Sequence, residues 1–181
     1  MFKKILIVLQ QWFSFLGKQD KKISLKNIEK QPLEQATHTY SMALIPQLKS
    51  EHKKLVEIYV GIQSLFESKK YQQVVEQLLY FKEEFSLHLI EENVKFYAYL
   101  ESNLEPESVQ LQTIKTYRKD MNQIAHVVVK FLKKWTAQSS LNPVTADDFL
   151  QEYESIGAAL VQRITDEEQH LYTLYHPLSF T

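Results

Sequence analysis

Hydrophobic residues recur at alternating steps of four and three along residues 71–102, and this period predicts one long amphipathic helix. Its inward face is Val74, Leu78, Phe81, Phe85, His88, Glu92, Phe96 and Tyr99. His88 and Glu92, one helical turn apart, interrupt a face that is otherwise apolar or aromatic. A buried imidazole and a buried carboxylate are costly unless they are paired or bind a cation. This pair is the first indication of function.

The same period predicts three further helices. The first covers about residues 46–67, with Pro46 in its first turn and His52 as the only strongly polar residue on its inward face. The next begins at Pro106 and has an apolar inward face. The last follows Thr145, whose side chain is expected to cap its N-terminus, and its inward face is Phe149, Tyr153, Ile156, Leu160, Arg163, Glu167, His170 and Leu174. Four helices joined by short turns predict an all-α, up-down-up-down antiparallel four-helix bundle.

The first 17 residues carry a separate amphipathic pattern. On a helical wheel one sector is basic and polar, and the opposite sector contains Phe2, Ile5, Leu6, Leu9, Trp12, Phe13 and Leu16. The apolar run ends early and no small-x-small cleavage site follows, so a signal peptide is not expected. We expect an extra N-terminal helix over residues 1–17. Through residues 2–16 it would lie on an anionic membrane surface, or dock on the body of the protein or on a protein partner. Residues 18–44 are then a linker.

Composition narrows the class of protein. The chain has 181 residues, of which 44% are hydrophobic and 24% charged, which suits one bundle domain over residues 45–178. A net charge of −1 gives no overall basic surface for nucleic acid. The absence of cysteine excludes disulfides, thiolate ligands and cysteine nucleophiles. It fits a reducing compartment, so we expect a cytoplasmic protein, with peripheral association at the inner membrane as the alternative.

Depth along the helices can be counted from the turns because each residue of a helix rises about 1.5 Å. His52 and His88 lie at nearly the same distance from the turn that joins the first two helices. Met121 and Arg163 lie equally far from the turn that joins the last two. All four helices therefore contribute to one layer, and Glu92 and Glu167 share the adjacent layer.

This arrangement resembles the hemerythrin-like, or HHE cation-binding, family. The resemblance covers about residues 42–178 and includes the strings at residues 48–52 (LKSEH), 88–92 (HLIEE) and 163–172 (RITDEEQHLY). It implies a non-haem di-iron centre that binds dioxygen, senses iron or oxygen, or serves repair after nitrosative stress. Carried over position by position, the resemblance implies four retained metal ligands, His52, His88, Glu92 and Glu167.

Two positions depart from the family pattern. Met121 stands where the third helix would offer a histidine, and a thioether is a poor ligand for a hard iron site. Arg163 stands where the fourth helix would begin its His-x-x-x-Glu pair, and it places a permanent positive charge at the site. Glu92 and Glu167 contribute −2 and Arg163 contributes +1, so one divalent ion brings the layer to about +1 and two ions to about +3. We expect one non-haem iron ion or none, and no organic cofactor.

Each of these residues also has a simpler structural interpretation. His88 can be a helix histidine hydrogen-bonded to its own i+4 carboxylate, Glu92. Arg163 and Glu167 can form an intrahelical i, i+4 salt bridge, with Glu92 as a second acceptor. His52 taken alone is an ordinary core histidine, and only the shared depth makes it a candidate ligand.

The other four histidines are weaker candidates. His170 is one turn further along the inward face of the last helix, where a structural role is expected. His126 falls on the solvent side of the third helix. His38 and His176 lie in irregular terminal regions and carry no signal.

A second resemblance gives a different function. The segment 156–163 (IGAALVQR) followed by Glu167 and Glu168, with residues 122–124 (NQI), is similar to the bacterial regulators of the primary sigma factor of RNA polymerase. Those are metal-free helical bundles that bind a protein. Two hypotheses follow, a metal-binding or sensing protein of the hemerythrin-like type and a metal-free regulatory bundle. An enzyme is the weakest hypothesis, because no nucleophile with a base and no phosphate-binding loop is found.

Overall fold

The computed structural model describes residues 39–137 and 140–177, and all regular structure in these ranges is helical. Helix α1 is Leu44–Glu67. Helix α2 runs from residue 71 to residue 103 and consists of Tyr71–Glu91, a π-helical turn Glu92–Tyr97 and Ala98–Asn103. Helix α3 is Val109–Trp135. Helix α4 is Ala146–Asp166, and it continues as a π-helical turn Glu167–Leu171 and a 3-10 turn Tyr172–Leu174. The prediction of an all-α fold with these four helices is confirmed for the described residues.

The N-terminal helix predicted over residues 1–17 and most of the predicted linker lie outside the described residues. Within residues 39–137 and 140–177, no helix is long and apolar enough to cross a membrane.

The start of one helix and the N-terminal cap of another differ from the prediction. Helix α3 begins at Val109 and not at Pro106, because the Ser108 side chain accepts a hydrogen bond from the Leu111 amide and caps the helix there. Thr145 precedes α4 as predicted, but its side chain does not cap the helix. Its Oγ1 instead donates to the Ser140 carbonyl at 2.7 Å, which braces the turn between α3 and α4.

Side chains from all four helices form the core, which contains two large apolar clusters and a small one formed by Val56 and Ile164. The first large cluster contains Leu55, Phe85, Met121 and Ile156. The second contains Leu48, Phe96, Ile114 and Leu171. Each helix therefore contributes residues to both large clusters. The buried polar residues of α1, α2 and α4 lie at the crossing, the level between the two clusters. Every residue predicted for the inward face of α2 is buried.

Candidate metal centre

Five polar side chains are buried at the crossing between the two apolar clusters. They are His52, His88, Glu92, Arg163 and Glu167, each at most 5% exposed. Apart from tyrosine and tryptophan side chains, no other polar or charged residue in the described ranges is buried to this degree. Met121, the α3 residue expected at this level, is buried, and it lines a small cavity together with His52, His88, Arg163 and Glu167. The prediction that all four helices reach one interior level is confirmed.

The two histidines face each other across α1 and α2, with ring centroids 4.7 Å apart. His52 Nδ1 lies 2.9 Å from Glu168 Oε1, and His88 Nδ1 lies 2.9 Å from Glu51 Oε2. A carboxylate at Nδ1 fixes that nitrogen as the protonated one and turns Nε2 into the interior. Histidine ligands of metals characteristically make this contact through their second nitrogen.

The donor atoms of His52, His88 and Glu167 all lie within 4.8 Å of one another. His52 Nε2 is 3.2 Å from Glu167 Oε2. Two ligands of one ion at bond lengths near 2.1 Å are separated by about 3.0–3.5 Å. Two imidazoles and one carboxylate are also the donor set of many mononuclear non-haem iron sites. These three side chains are therefore placed and oriented to hold one ion.

Glu92 lies beside this group of three without belonging to it. Its Oε1 accepts a hydrogen bond from the Tyr172 hydroxyl at 3.2 Å, and the same hydroxyl is 3.3 Å from His52 Nε2. Its Oε2 is the only buried side-chain nitrogen or oxygen among the described residues that has no hydrogen-bond partner. Burial, reinforced by the charge of Glu167, raises the pKa of Glu92 to about 8. A buried acceptor without a partner requires an explanation, and a bound cation is one.

Arg163 is held by two other residues of the layer. Its Nε donates to Glu167 Oε1 at 2.5 Å, so the predicted intrahelical salt bridge is confirmed. Its Nη2 donates to the Tyr97 hydroxyl at 2.7 Å, so the second acceptor is Tyr97 and not Glu92. The simpler interpretation of His88 as a histidine bonded to its own i+4 carboxylate, Glu92, is not what the structure shows, because His88 Nδ1 is bonded to Glu51.

Charge pairing sets the protonation of the layer. Burial by itself lowers the pKa of His52, but its contacts with the carboxylates of Glu167 and Glu168 outweigh burial and raise the pKa to about 9. Burial lowers the pKa of His88, which therefore remains neutral at pH 7. Burial raises the pKa of Glu167, but the hydrogen bond to His52 and the charges around it leave that pKa below its ordinary value. One imidazole is thus already a neutral donor, and the other exchanges its proton for a metal ion.

The two π-helical turns begin at Glu92 and at Glu167. A π turn holds one more residue than an α turn, so the helix face that points inward shifts by one residue beyond it. Phe96 and Tyr97 are consequently both buried on α2, and Leu171 and Tyr172 are both buried after α4. The same shift turns His170 out to solvent, so the expected place of His170 on the inward face is wrong.

Sequence reasoning missed four residues that contact the layer, namely Glu51, Tyr97, Glu168 and Tyr172. The sequence contained a signal for the two carboxylates, because each is adjacent to a candidate ligand. In the structure each bonds to the histidine of another helix. The two tyrosines had none, because a regular α-helix would direct them away from the inward face. His126 is exposed as predicted, His176 is also exposed, and His38 lies outside the described residues.

A cavity of about 30 Å³ adjoins the polar layer. It is lined on the polar side by His52, His88, Arg163 and Glu167, and elsewhere by side chains such as Leu55, Phe85, Met121 and Ile164. About 10–15 Å³ is enough for one water molecule. The space beside the candidate ligands is therefore large enough for a water or a diatomic molecule, and most of its wall is apolar.

Comparison with known families gives one finding. Residues 43–175 match the model of the hemerythrin HHE cation-binding domain. Comparisons with curated proteins and with solved structures gave no match. The resemblance to the regulators of the primary sigma factor gains no support from these comparisons.

Proposed function

Because the chain belongs to the hemerythrin HHE cation-binding family, we propose that it binds a single metal ion, non-haem iron in the first place, in the polar layer between its helices. His52 Nε2, His88 Nε2 and a Glu167 carboxylate oxygen are the ligands, and Glu92 supplies a fourth. The protein acts as a metal-binding or metal-sensing protein.

The observation that carries this proposal is the support of both imidazoles by carboxylates. Glu168 and Glu51 each lie 2.9 Å from an Nδ1, and one donor atom from each of His52, His88 and Glu167 lies within 4.8 Å of the other two. Contacts of this kind raise the basicity of a histidine ligand and fix its ring. A core histidine with a purely structural role needs one polar partner, and it has no need to converge with a second supported histidine on a shared carboxylate.

The partnerless Glu92 Oε2 fits the role of the fourth ligand. Tyr172 restrains the other oxygen of this carboxylate beside His52. A ferrous ion held by these residues would supply the capacity to bind dioxygen or another small ligand. The apolar wall of the adjoining cavity limits the entry of water, and Tyr172 holds its proton on the bond to Glu92.

The residues of this chain do not fit a pair of metal ions. Arg163 directs a permanent charge at Glu167, and Met121 offers a thioether where a hard ion needs oxygen or nitrogen. With two ions the layer carries about +3 before any anion binds, in a region with little solvent to screen it. We propose that Arg163 replaces the charge of a second ion, so that the site holds one.

Equilibrium dialysis of untagged protein against Fe(II) without oxygen, and against Mn(II) and Zn(II), followed by elemental analysis, tests this proposal. We expect one equivalent of metal on the natural protein and a large loss of bound metal in His88→Ala. His126→Ala is the matched control, since it removes an exposed histidine from α3 and should leave one equivalent bound. Bound metal far below one equivalent on the natural protein would contradict the proposal and favour the metal-free bundle. Equal binding by both variants would mean that the metal sits elsewhere.

A sensing role adds a second expected result. A ligand that binds only the folded protein stabilises it by RT ln(1 + [L]/Kd), about 2.7 kcal/mol at a concentration of 100 Kd. Thermal unfolding should therefore shift upward with added metal in the natural protein and not in His88→Ala. The absence of any shift at saturating metal would argue against a sensor that reads metal through its stability.

A further inference from the structure

The outer face of α2 carries an apolar stripe that the helical core does not cover. Its members are Leu79, Tyr80, Leu87, Ile90 and Val94, which are 49%, 40%, 57%, 60% and 41% exposed. Their combined exposed apolar surface is on the order of 400 Å², comparable to the largest patch on a typical monomer. The stripe extends about 22 Å along the helix. Patches of this size commonly mark a contact surface.

The helix that carries the stripe is acidic. Residues 71–103 contain six acidic and two basic side chains. Glu92 is buried, and Glu84, Glu91 and Glu101 are paired with Lys54, Lys95 and Arg118, so Glu76 and Glu83 supply the exposed negative charge. Glu83 lies on the same outer face between Leu79 and Leu87 and is exposed. An occupant with a basic edge is therefore favoured over an acidic one.

Residues 1–18 of the same chain have the complementary character. They contain three lysines and no acidic residue, a formal charge of +3. Their apolar sector, from Phe2 to Leu16, would extend about 21 Å as a helix. The length of this sector matches that of the stripe, and its large aromatic and aliphatic side chains suit a shallow apolar surface.

The described chain enters the domain close to one end of the stripe. The Tyr40 ring stacks on Tyr175 at 5.0 Å and lies 6.1 Å from Tyr99. Tyr99 is five residues beyond Val94 on α2, about 7 Å along the axis. The 24 residues from Leu16 to Tyr40 can span up to roughly 80 Å. The tether therefore reaches every part of the stripe, and a tether of this length gives an effective concentration of up to the millimolar range.

We propose that residues 2–16 dock as an amphipathic helix on the α2 outer stripe of the same chain. The apolar sector covers Leu87 and Ile90, and the lysines at its edge face the acidic side chains of α2. His88 lies on the inward side of the same turns of α2 and points into the polar layer. The docked segment would therefore pack against the outer face of the helix whose inward face carries two candidate ligands. This inference does not depend on metal binding.

Cross-linking between two introduced cysteines tests the docking, since the natural chain contains no cysteine. Leu9 is the midpoint of the apolar sector and Leu87 is near the midpoint of the stripe, so this pair is close whichever way the helix runs. The full-length Leu9→Cys/Leu87→Cys variant is treated with a short bismaleimide at low protein concentration. The intramolecular product is then quantified by mass spectrometry.

Leu9→Cys/Val127→Cys is the matched control. Val127 is 56% exposed, which nearly equals the 57% of Leu87, but it lies on α3. We expect a several-fold higher intramolecular yield with Leu87 than with Val127. Adding Phe13→Glu should bring the Leu87 yield down to the control value, whereas Gln10→Glu, on the polar sector, should leave it high. Circular dichroism and thermal unfolding of each variant confirm that the helical domain remains folded.

Three results would overturn the proposal. Equal yields at Leu87 and Val127 would mean that the segment samples the whole surface. A product found only as a cross-linked dimer, with a yield that rises with protein concentration, would identify a second copy as the occupant. A control-level Leu87 yield combined with cosedimentation of the chain with phosphatidylglycerol vesicles would identify a membrane surface as the occupant.

Discussion

Replacement of Arg163 by glutamine tests the charge balance of the buried layer most directly. The guanidinium Nε lies 2.5 Å from Glu167 Oε1, and the two side chains are only 5% and 2% exposed. Arg163→Gln keeps a polar side chain but leaves the buried Glu167 carboxylate with protonated His52 as its remaining cationic contact. Removal of one partner of a buried ion pair costs about 3–5 kcal/mol, and the remaining contact of Glu167 with His52 places the expected loss toward the lower end of this range. We expect the metal-free variant to be destabilised by that amount.

Urea denaturation followed by circular dichroism measures the change. For m-values of about 1–3 kcal/mol per molar urea, a loss of this size lowers the midpoint by on the order of 2 M. The free energy of unfolding of natural domains is about 5–15 kcal/mol, so the variant is expected to show a measurable unfolded fraction in mild conditions. The experiment is performed with a chelator, so that bound metal does not conceal the loss.

Arg118→Gln is the matched control. Arg118 Nη1 lies 2.7 Å from Glu101 Oε2, and its guanidinium lies 5.7 Å from the ring of Tyr97, the residue that also contacts Arg163. The side chains of this second pair are 36% and 27% exposed, and solvent screening limits such a pair to about 1 kcal/mol. If Arg163→Gln unfolds within about 1 kcal/mol of Arg118→Gln, the layer does not depend on this charge and the reasoning is refuted. If the charge is needed, added divalent metal should restore more stability to Arg163→Gln than to the natural protein.

Three further predictions follow from the geometry. The free energy of unfolding of the metal-free protein should fall as the pH rises from 6.5 to 9. Folding raises the pKa of His52 to about 9 and that of Glu92 to about 8. The stabilisation that each proton provides is therefore lost as the pH rises through these values. Gly157→Ala should destabilise the protein by about 1–3 kcal/mol, because the new Cβ would lie 2.9 Å from the buried ring of Tyr59. In Gly61→Ala the new Cβ meets nothing within 4 Å, so this substitution should stabilise the protein by up to about 1 kcal/mol. Glu168→Gln should weaken metal binding about 10–100-fold, as measured by competition with a chelator.

Contrary results are distinct in each case. A metal-free protein that is most stable near pH 9 would contradict the assigned protonation of the layer. Equal effects of the two glycine substitutions would mean that α4 moves away from the tyrosine without cost. Glu57→Gln, which alters an exposed carboxylate on α1, is the control for Glu168→Gln, and an equal loss of affinity in both would indicate a general effect of charge.

The sequence by itself determined the helices and the level at which their polar residues meet. Helical periodicity is local, so the spacing of His88 and Glu92 within an apolar face was enough to place both in the interior. A constant rise per residue then brought His52 to the level of His88, and Glu167 to the level of Glu92. The charge of Arg163 was equally readable, because its i, i+4 relation to Glu167 lies within one helix.

Only the tertiary structure decided which hydrogen-bond partners the residues of the layer have. Glu51 bonds to His88 and Glu168 bonds to His52, each across two helices, and no periodicity reports the direction of a side chain toward a partner more than 30 residues away. The two π-helical turns rotate Tyr97 and Tyr172 into the layer and His170 out of it. The hydrogen-bond register at these turns depends on packing against other helices, while the pattern of apolar residues is the same for an α and a π turn until the following turn is reached.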